Sequence, residues 1–260
     1  MEKIRKHISF SELKIWNECP FKHKLVYIDN VKEFKGNEHT AFGTAMHYVC
    51  ENMFDKSNNL TEIFQNKFLD ELRLLKKEDV NLDKKLIQDM RGQGEKMLSS
   101  ILPEVQKAFP SFDVISVEED IMEPMSANLH FKGYIDLVIK TPDNKYHIID
   151  WKTCSWGWDA RRKADRMTTY QLTLYKNFFA KKHSIDPSNI ETHFALLKRT
   201  AKKNKVEIFK VTSGVKKTEN ALKLLNKAIY NIKNRIFIKN RLACTSGYGC
   251  EFFNTEFCKR

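Results

Sequence analysis

Residues 133–152 read Gly133-Tyr134-Ile135-Asp136-Leu137-Val138-Ile139-Lys140, then Thr141-Pro142-Asp143-Asn144, then Lys145-Tyr146-His147-Ile148-Ile149-Asp150-Trp151-Lys152. Two runs rich in β-branched and aromatic residues flank a tetrapeptide of β-turn composition, which predicts a hairpin. Both runs are apolar on both faces, as strands in the middle of a covered sheet are. Each nevertheless carries one aspartate inside it. Folding back at Pro142–Asn144 sets Asp136 opposite Asp150 to within one residue of register, and facing side chains on paired strands lie about 5 Å apart. Two carboxylates that close, in a poorly solvated place, repel, and at least one pKa rises unless a cation sits between them. A divalent ion is the simplest neutraliser, and hard oxygen ligands point to Mg²⁺ or Mn²⁺.

Lys152 stands two residues beyond Asp150. The period of two puts both on one sheet face, about 6.5–7 Å apart along the strand. An ammonium there can orient a water or stabilise negative charge developing on a phosphate. The plainer reading is an ion pair at a strand end, since D-x-K is common by chance. The apolar strand before it and the second acid on the partner strand weigh against that reading.

Outward from the hairpin, three strands are expected at Phe112–Ile121, Leu129–Lys140 and Lys145–Thr153, and two more at Thr192–Lys198 and Val206–Val211. Between them a helix over Arg162–Lys182 lines Met167, Tyr170, Leu174 and Phe178 on one face, and a last helix runs through Ile236. Before the strands, Ser9–Tyr27 can be N-capped by Ser9 or Ser11, Ser9 having Glu12 three residues on as in a capping box, and is interrupted by Pro20. Thr40–Phe54 has helical spacing, with Met46, Val49, Cys50, Met53 and Phe54 on its apolar stripe. The charged helical stretch from about 56 to 110 reads as an insertion or lid within one domain spanning 1–260. This order of elements gives an α/β fold, a central mixed β-sheet flanked by helices.

The chain has 260 residues, about 1.7 domains at ~150 residues each. Its 42% hydrophobic content excludes a wholly disordered chain. Lys+Arg 45 against Asp+Glu 33 leaves +12, which favours a polyanionic partner, nucleic acid first and a membrane surface second, over a merely basic protein. No run approaches the ~18 apolar residues of a membrane span. Met1–Phe10 lacks the apolar core of ~7–15 residues of a secretory signal. A cytoplasmic, intracellular protein with reduced thiols is therefore expected, and the six cysteines need a reason other than disulfides. There is no G-x-x-x-x-G-K-[ST] loop, hence no ATP motor in the chain.

His47 lies in Gly43-Thr44-Ala45-Met46-His47-Tyr48-Val49-Cys50-Glu51, with Gly43 and Glu51 one helical turn to either side. A lone helical histidine is more often structural than a ligand. In order, however, G-T-x-x-H-x-x-x-E, G-Y-I-D, D-W-K and Gln171-Leu172-x-x-Tyr175 resemble the signature of RecB-like nucleases of the PD-(D/E)xK superfamily, which share a restriction-endonuclease-like core. The resemblance covers nearly the whole chain outside the 60–110 helical stretch. It implies a divalent-metal-dependent DNA nuclease, an exonuclease acting on ends or single strands by metal-activated water attack on the phosphodiester. Its alternatives are a CRISPR-adaptation-type trimming nuclease and an inactive DNA-binding scaffold. The partners it implies are DNA and a separate helicase or recombination protein. It assigns His47, Asp136, Asp150 and the carbonyl of Trp151 to the metal, Lys152 to catalysis, and Gln171 and Tyr175 to steadying the site or the DNA strand. Glu118 or Glu119 is a further supporting acid, with a solvated strand edge as the plainer alternative.

Cys19, Cys244, Cys250 and Cys258 resemble the iron–sulfur subset of that family, in which a 4Fe–4S cluster staples the chain ends. The gaps Cys244-x5-Cys250-x7-Cys258 are wider than the family's commoner two and five. Zinc is the rival occupant and unrelated thiols the plain one. Cys50 and Cys154 read as small hydrophobes. Trp156-Gly157-Trp158 beside Arg161-Arg162-Lys163 is expected to touch DNA by stacking and phosphate contact, with burial of the tryptophans beside a helix start as the plainer alternative. The Lys198–Lys205 segment is a basic hairpin tip.

Overall fold

The turn between the two acid-bearing strands is built as its sequence predicts. Thr141 N–H returns to Lys145 O and Asn144 N–H to Thr141 O, and Asn144 takes the left-handed conformation (φ 62°) that asparagine tolerates. In the computed structural model, residues 6–126, 128–247 and 249–259 are described. Met1–Arg5, on which the reading of the N-terminus partly rested, lie outside the described residues. The elements are β1 (His7–Ser9), α1 (Phe10–Glu18), α2 (Pro20–His23), α3 (Glu38–Asn52), α4 (Leu60–Lys77), α5 (Lys84–Ala108), β2 (Asp113–Ser126), β3 (Leu129–Lys140), β4 (Tyr146–Cys154), α6 (Ala160–Ala164), α7 (Arg166–His183), β5 (Ile190–Lys198), β6 (Val206–Val211) and α8 (Val215–Lys233). They divide into two compact units, one of residues 35–120 and 134–213, the other of 1–34, 121–133 and 214–260.

In the first unit β3 and β4 pair antiparallel, with Leu137 opposite Ile149 and Lys140 opposite Tyr146. β4 then runs parallel to β5 along its whole length, Tyr146 facing Ile190 and Cys154 facing Lys198. A parallel pair needs a crossover, and α6 and α7 supply it. β6 closes antiparallel on β5, and β2 pairs with β3. The sheet is mixed, as expected. α3, α4 and α5 cover the face that carries Leu137, Ile139, Ile149, Trp151, Ala195 and Leu197, through Phe42, Phe64, Phe68, Met97 and Ile101. Each such fully buried side chain contributes about 1.5–3 kcal/mol. Gly94 of α5 is where Phe64 of α4 seats: a Cβ there would stand 2.3 Å from the ring. α7 packs on β4 and β5, with Phe179 against Tyr146. The even-numbered residues of β4, Asp150 and Lys152 among them, point to the face opposite Trp151.

One expected helix is broken, at a capping residue. The single helix over 162–182 is α6 and α7, because Asp165 leaves helical geometry (φ −57°, ψ 131°) and accepts the Thr168 N–H as an N-cap. The expected helical stretch over 60–109 consists of α4 and α5, with Asp83 capping the second.

In the second unit β1 runs parallel to the first residues of β3, His7 facing His130 and Ser9 facing Lys132. Three residues are too few to show a period, so the sequence did not reveal this strand. Ser9 accepts the Glu12 N–H and starts α1, which packs on α8. α1 stops at Cys19, Pro20 begins α2, and a π-helical turn follows over Lys24–Ile28. No helix among the described residues is long and apolar enough to cross a membrane.

Candidate active site

The register that pairs Leu137 with Ile149 makes Asp136 and Asp150 the next facing pair, with Lys152 two residues further along β4. Asp136 Oδ2 accepts the Trp151 N–H at 2.6 Å, so this carboxylate takes the place of a main-chain acceptor at the edge of the pairing. Asp150 is 1% exposed. Its Oδ1 accepts from Gln171 Nε2 at 2.8 Å, and its Oδ2 lies 2.5 Å from Lys152 Nζ without an aligned hydrogen bond. Gln171 Nε2 also reaches Tyr175 Oη at 3.4 Å, one helical turn on. From α3, His47 brings Nδ1 to 3.6 Å from Asp136 Oδ2. Gly43, one turn earlier, allows the approach, since a Cβ there would stand 3.3 Å from Thr153 Oγ1. The structure thus brings together His47, Asp136, Asp150, Trp151, Lys152, Gln171 and Tyr175.

An open cavity of about 550 Å³ adjoins two of them, His47 and Asp136, and is lined also by Gly43, Thr44, Tyr48, Glu51, Lys67 and Glu118. Of the two acids the sequence left undecided, Glu118 faces it. Glu119 is tied to Lys182 at 2.6 Å and His183 at 2.8 Å. Glu118 holds φ at +51°, a left-handed conformation rare for a residue with a side chain. Glu51, quoted in the motif without a role, is the second acid that the sequence reading missed; its place one turn from His47 was the available signal.

The electrostatics are those of an excess of acid. Burial, and then the Asp136 charge, lift Asp150 to about 6 against the pull of Lys152. Desolvation, then Asp136 and Glu51, raise Glu118 to about 7 even though solvent reaches it. Burial likewise raises Glu51. Burial acts to lower His47, but the Asp136 carboxylate 3.6 Å away and the charge of Asp150 outweigh this and leave it raised. Asp136, Asp150, Glu51 and Glu118 around one imidazole, with Lys152 paired to Asp150, leave an excess of negative charge that fits a small hard cation.

The other expected contacts divide. Trp158 is buried, edge-on to Phe194 at 5.1 Å with Arg162 stacked 4.6 Å over its ring, so it packs in the core and is not a base-stacking platform. Trp156 is 78% exposed. The basic tip is partly tied down: Arg199 is buried on Gln93 and Ser155, and Lys198 pairs with Glu207 at 3.1 Å. Cys50 is buried and Cys154 half-buried. In the other unit, Cys19, Cys244, Cys250 and Cys258 line one cavity of about 830 Å³. No three of the described thiols come within 4.8 Å of one another, so they do not form the close tetrahedral set of a single zinc.

A mixed sheet with helices on both faces, carrying two facing acids and a lysine at one strand end, defines a restriction-endonuclease-like nuclease core. The sequence matches the PD-(D/E)XK nuclease superfamily over residues 7–254, and the chain belongs to that superfamily. Among solved structures the fold is similar to a "putative exonuclease" from Eubacterium rectale, with a TM-score of 0.54, 12% identity, and 92% of this chain and 86% of that chain covered. SSO0001 also aligns, at a TM-score of 0.33 and 12% identity, covering 90% of this chain and 91% of that one. No curated protein matches the sequence.

Proposed function

We propose that the chain is a Mg²⁺- or Mn²⁺-dependent deoxyribonuclease, an exonuclease on DNA ends or single strands, built as one nuclease domain with the 56–110 helices as an insertion. The observation that carries this reading is the meeting of a buried Asp150, ion-paired with Lys152 at 2.5 Å, with the Asp136 carboxylate and with His47, whose Nδ1 lies 3.6 Å from Asp136. His47, Asp136, Asp150 and the Trp151 carbonyl would hold the ion, which when bound neutralises phosphate charge and activates a water. The chain's own groups set the geometry. Trp151 N–H fixes Asp136, Gln171 fixes Asp150, and Lys152 offers an ammonium to the negative charge of the phosphate. The net charge of +12 favours a polyanionic substrate, and the name of the Eubacterium rectale protein of similar fold supports action on ends.

The four thiols around the second cavity support a 4Fe–4S cluster over zinc, since a cubane spreads its ligands more widely than one ion. Asn240 N–H donates to Cys19 Sγ at 3.3 Å and Phe252 N–H to Cys250, contacts that favour thiolates, while burial pushes the Cys250 thiol up in the absence of a cluster. Visible thiolate-to-iron absorbance that disappears in Cys250→Ser tests the cluster; a colourless active protein refutes it.

Linear and circular DNA, incubated with and without Mg²⁺, test the activity. Asp150→Ala and Lys152→Ala are expected to stop cleavage and leave DNA binding and its salt dependence nearly intact. Cleavage persisting in either variant overturns the site, and cutting of circular DNA overturns the exonuclease.

A further inference from the structure

On the sheet face turned away from Asp150 and Lys152, at the other end of β4, three side chains that the nuclease site does not use converge. His147 lies opposite Glu191 across the β4–β5 pairing, and His193 is two residues along from Glu191, so all three share one face. His147 Nδ1 lies 3.2 Å from His193 Nε2, and Glu191 Oε2 stands 3.8 Å from the first and 3.9 Å from the second. Read as a plain histidine–histidine hydrogen bond, this leaves Glu191 Oε2 too far from either ring to take part. Read as three ligands, all three distances follow together. A point about 2.1 Å from each of the three atoms exists, and zinc bonds to imidazole nitrogen and carboxylate oxygen run ~2.0–2.2 Å.

The surroundings orient the donors as outer partners of a metal site do. His147 Nε2 meets Thr141 Oγ1 at 2.9 Å, and that hydroxyl gives its own proton to Asp143 at 2.5 Å. Nε2 therefore carries the ring proton of His147, and Nδ1 presents a lone pair to the centre of the triangle. Lys210 at 2.6 Å and Lys145 at 3.3 Å hold the other oxygen, Glu191 Oε1, which leaves Oε2 turned toward the rings. Their charges oppose a cation, yet they also offset the cost of burying the carboxylate. Phe109 packs 4.7 Å from the His147 ring and 5.2 Å from the His193 ring, shielding the group. Both histidines are 6% exposed, and burial lowers both of their pKa values, so they stand neutral, the form that ligates.

We propose that His147, Glu191 and His193 form a zinc site of two imidazoles and one carboxylate, separate from the catalytic ion. It joins the first residues of β4 to the first residues of β5 and, through Thr141, to the turn before β4. Two borderline nitrogens and one oxygen select zinc over magnesium, which prefers an all-oxygen octahedron.

The test uses the full chain. Crystals grown with Mg²⁺ and Zn²⁺ are measured at the zinc absorption edge, and an anomalous peak is expected between His147, Glu191 and His193. Equilibrium dialysis of zinc against wild type, His193→Gln and His193→Cys follows. Gln is expected to lose one zinc per chain, with affinity down roughly 100-fold or more, and Cys to keep it. Should His193→Gln not fold, Glu191→Gln takes its place in the dialysis. An anomalous map with zinc at the cysteines but none at this triangle overturns the proposal, as does a zinc count that His193→Gln leaves unchanged.

Discussion

Replacing Asp150 with asparagine separates what the site costs the fold from what it contributes to catalysis. The aspartate is buried, and its carboxyl is raised to about 6 from an ordinary 3.8. The folded chain therefore holds a proton that the unfolded chain has released between those two pH values, and stability falls as pH rises through that window. Above pH 6 the loss is complete. The difference of about 2.2 pH units at ~1.36 kcal/mol each amounts to about 3 kcal/mol carried by the metal-free protein at pH 8. An asparagine side chain keeps an oxygen for Gln171 and carries no charge, so Asp150→Asn is expected to be about 3 kcal/mol more stable than wild type in chelator at pH 8. At pH 4 the two should converge. Urea unfolding at both pH values measures this, and adding Mg²⁺ should narrow the gap from the wild-type side only. The same variant should not cleave DNA. An asparagine variant less stable than wild type at pH 8, or a gap that is the same at pH 4, would refute the reasoning.

Gln171→Leu removes the donor that orients Asp150 while keeping the volume beside Tyr175. Turnover is expected to fall roughly 10–100-fold with DNA affinity unchanged, and Gln171→Glu should not restore it, since a carboxylate cannot donate. Two glycines of α5 should respond to alanine with opposite signs. Gly92 has nothing within 4 Å of an added Cβ, so alanine there should stabilise by about 0.5–1 kcal/mol in urea unfolding. At Gly94 the added carbon meets Phe64 at 2.3 Å, and overpacking of ~1–3 kcal/mol should outweigh the same helical gain. Matching shifts at the two positions would mean that α4 and α5 do not pack as described.

The hairpin and its two acids were legible because a period of two and a four-residue turn leave almost no freedom of register. The break at Asp165 was written in the sequence too, as an N-cap ahead of Arg166 and the apolar stripe that begins at Met167. Other features lay beyond local reading. Glu118 and Glu119 are adjacent in the same acidic run, and only a left-handed residue in β2 decides which faces His47. Trp156 and Trp158 are equivalent in pattern, yet one is exposed and the other packs on Phe194. The triangle of His147, Glu191 and His193 joins residues 44 positions apart and appears only once β4 and β5 are paired in register.

By itself the sequence determined the order of the longer elements, the mixed sheet and the residues His47, Asp136, Asp150 and Lys152, because residue spacing, turn composition and charge are local quantities. The tertiary structure alone decided which acids share a cavity, which aromatic residues are buried and which histidines meet. Those depend on strand register and helix approach, and contacts between residues distant in the chain set both.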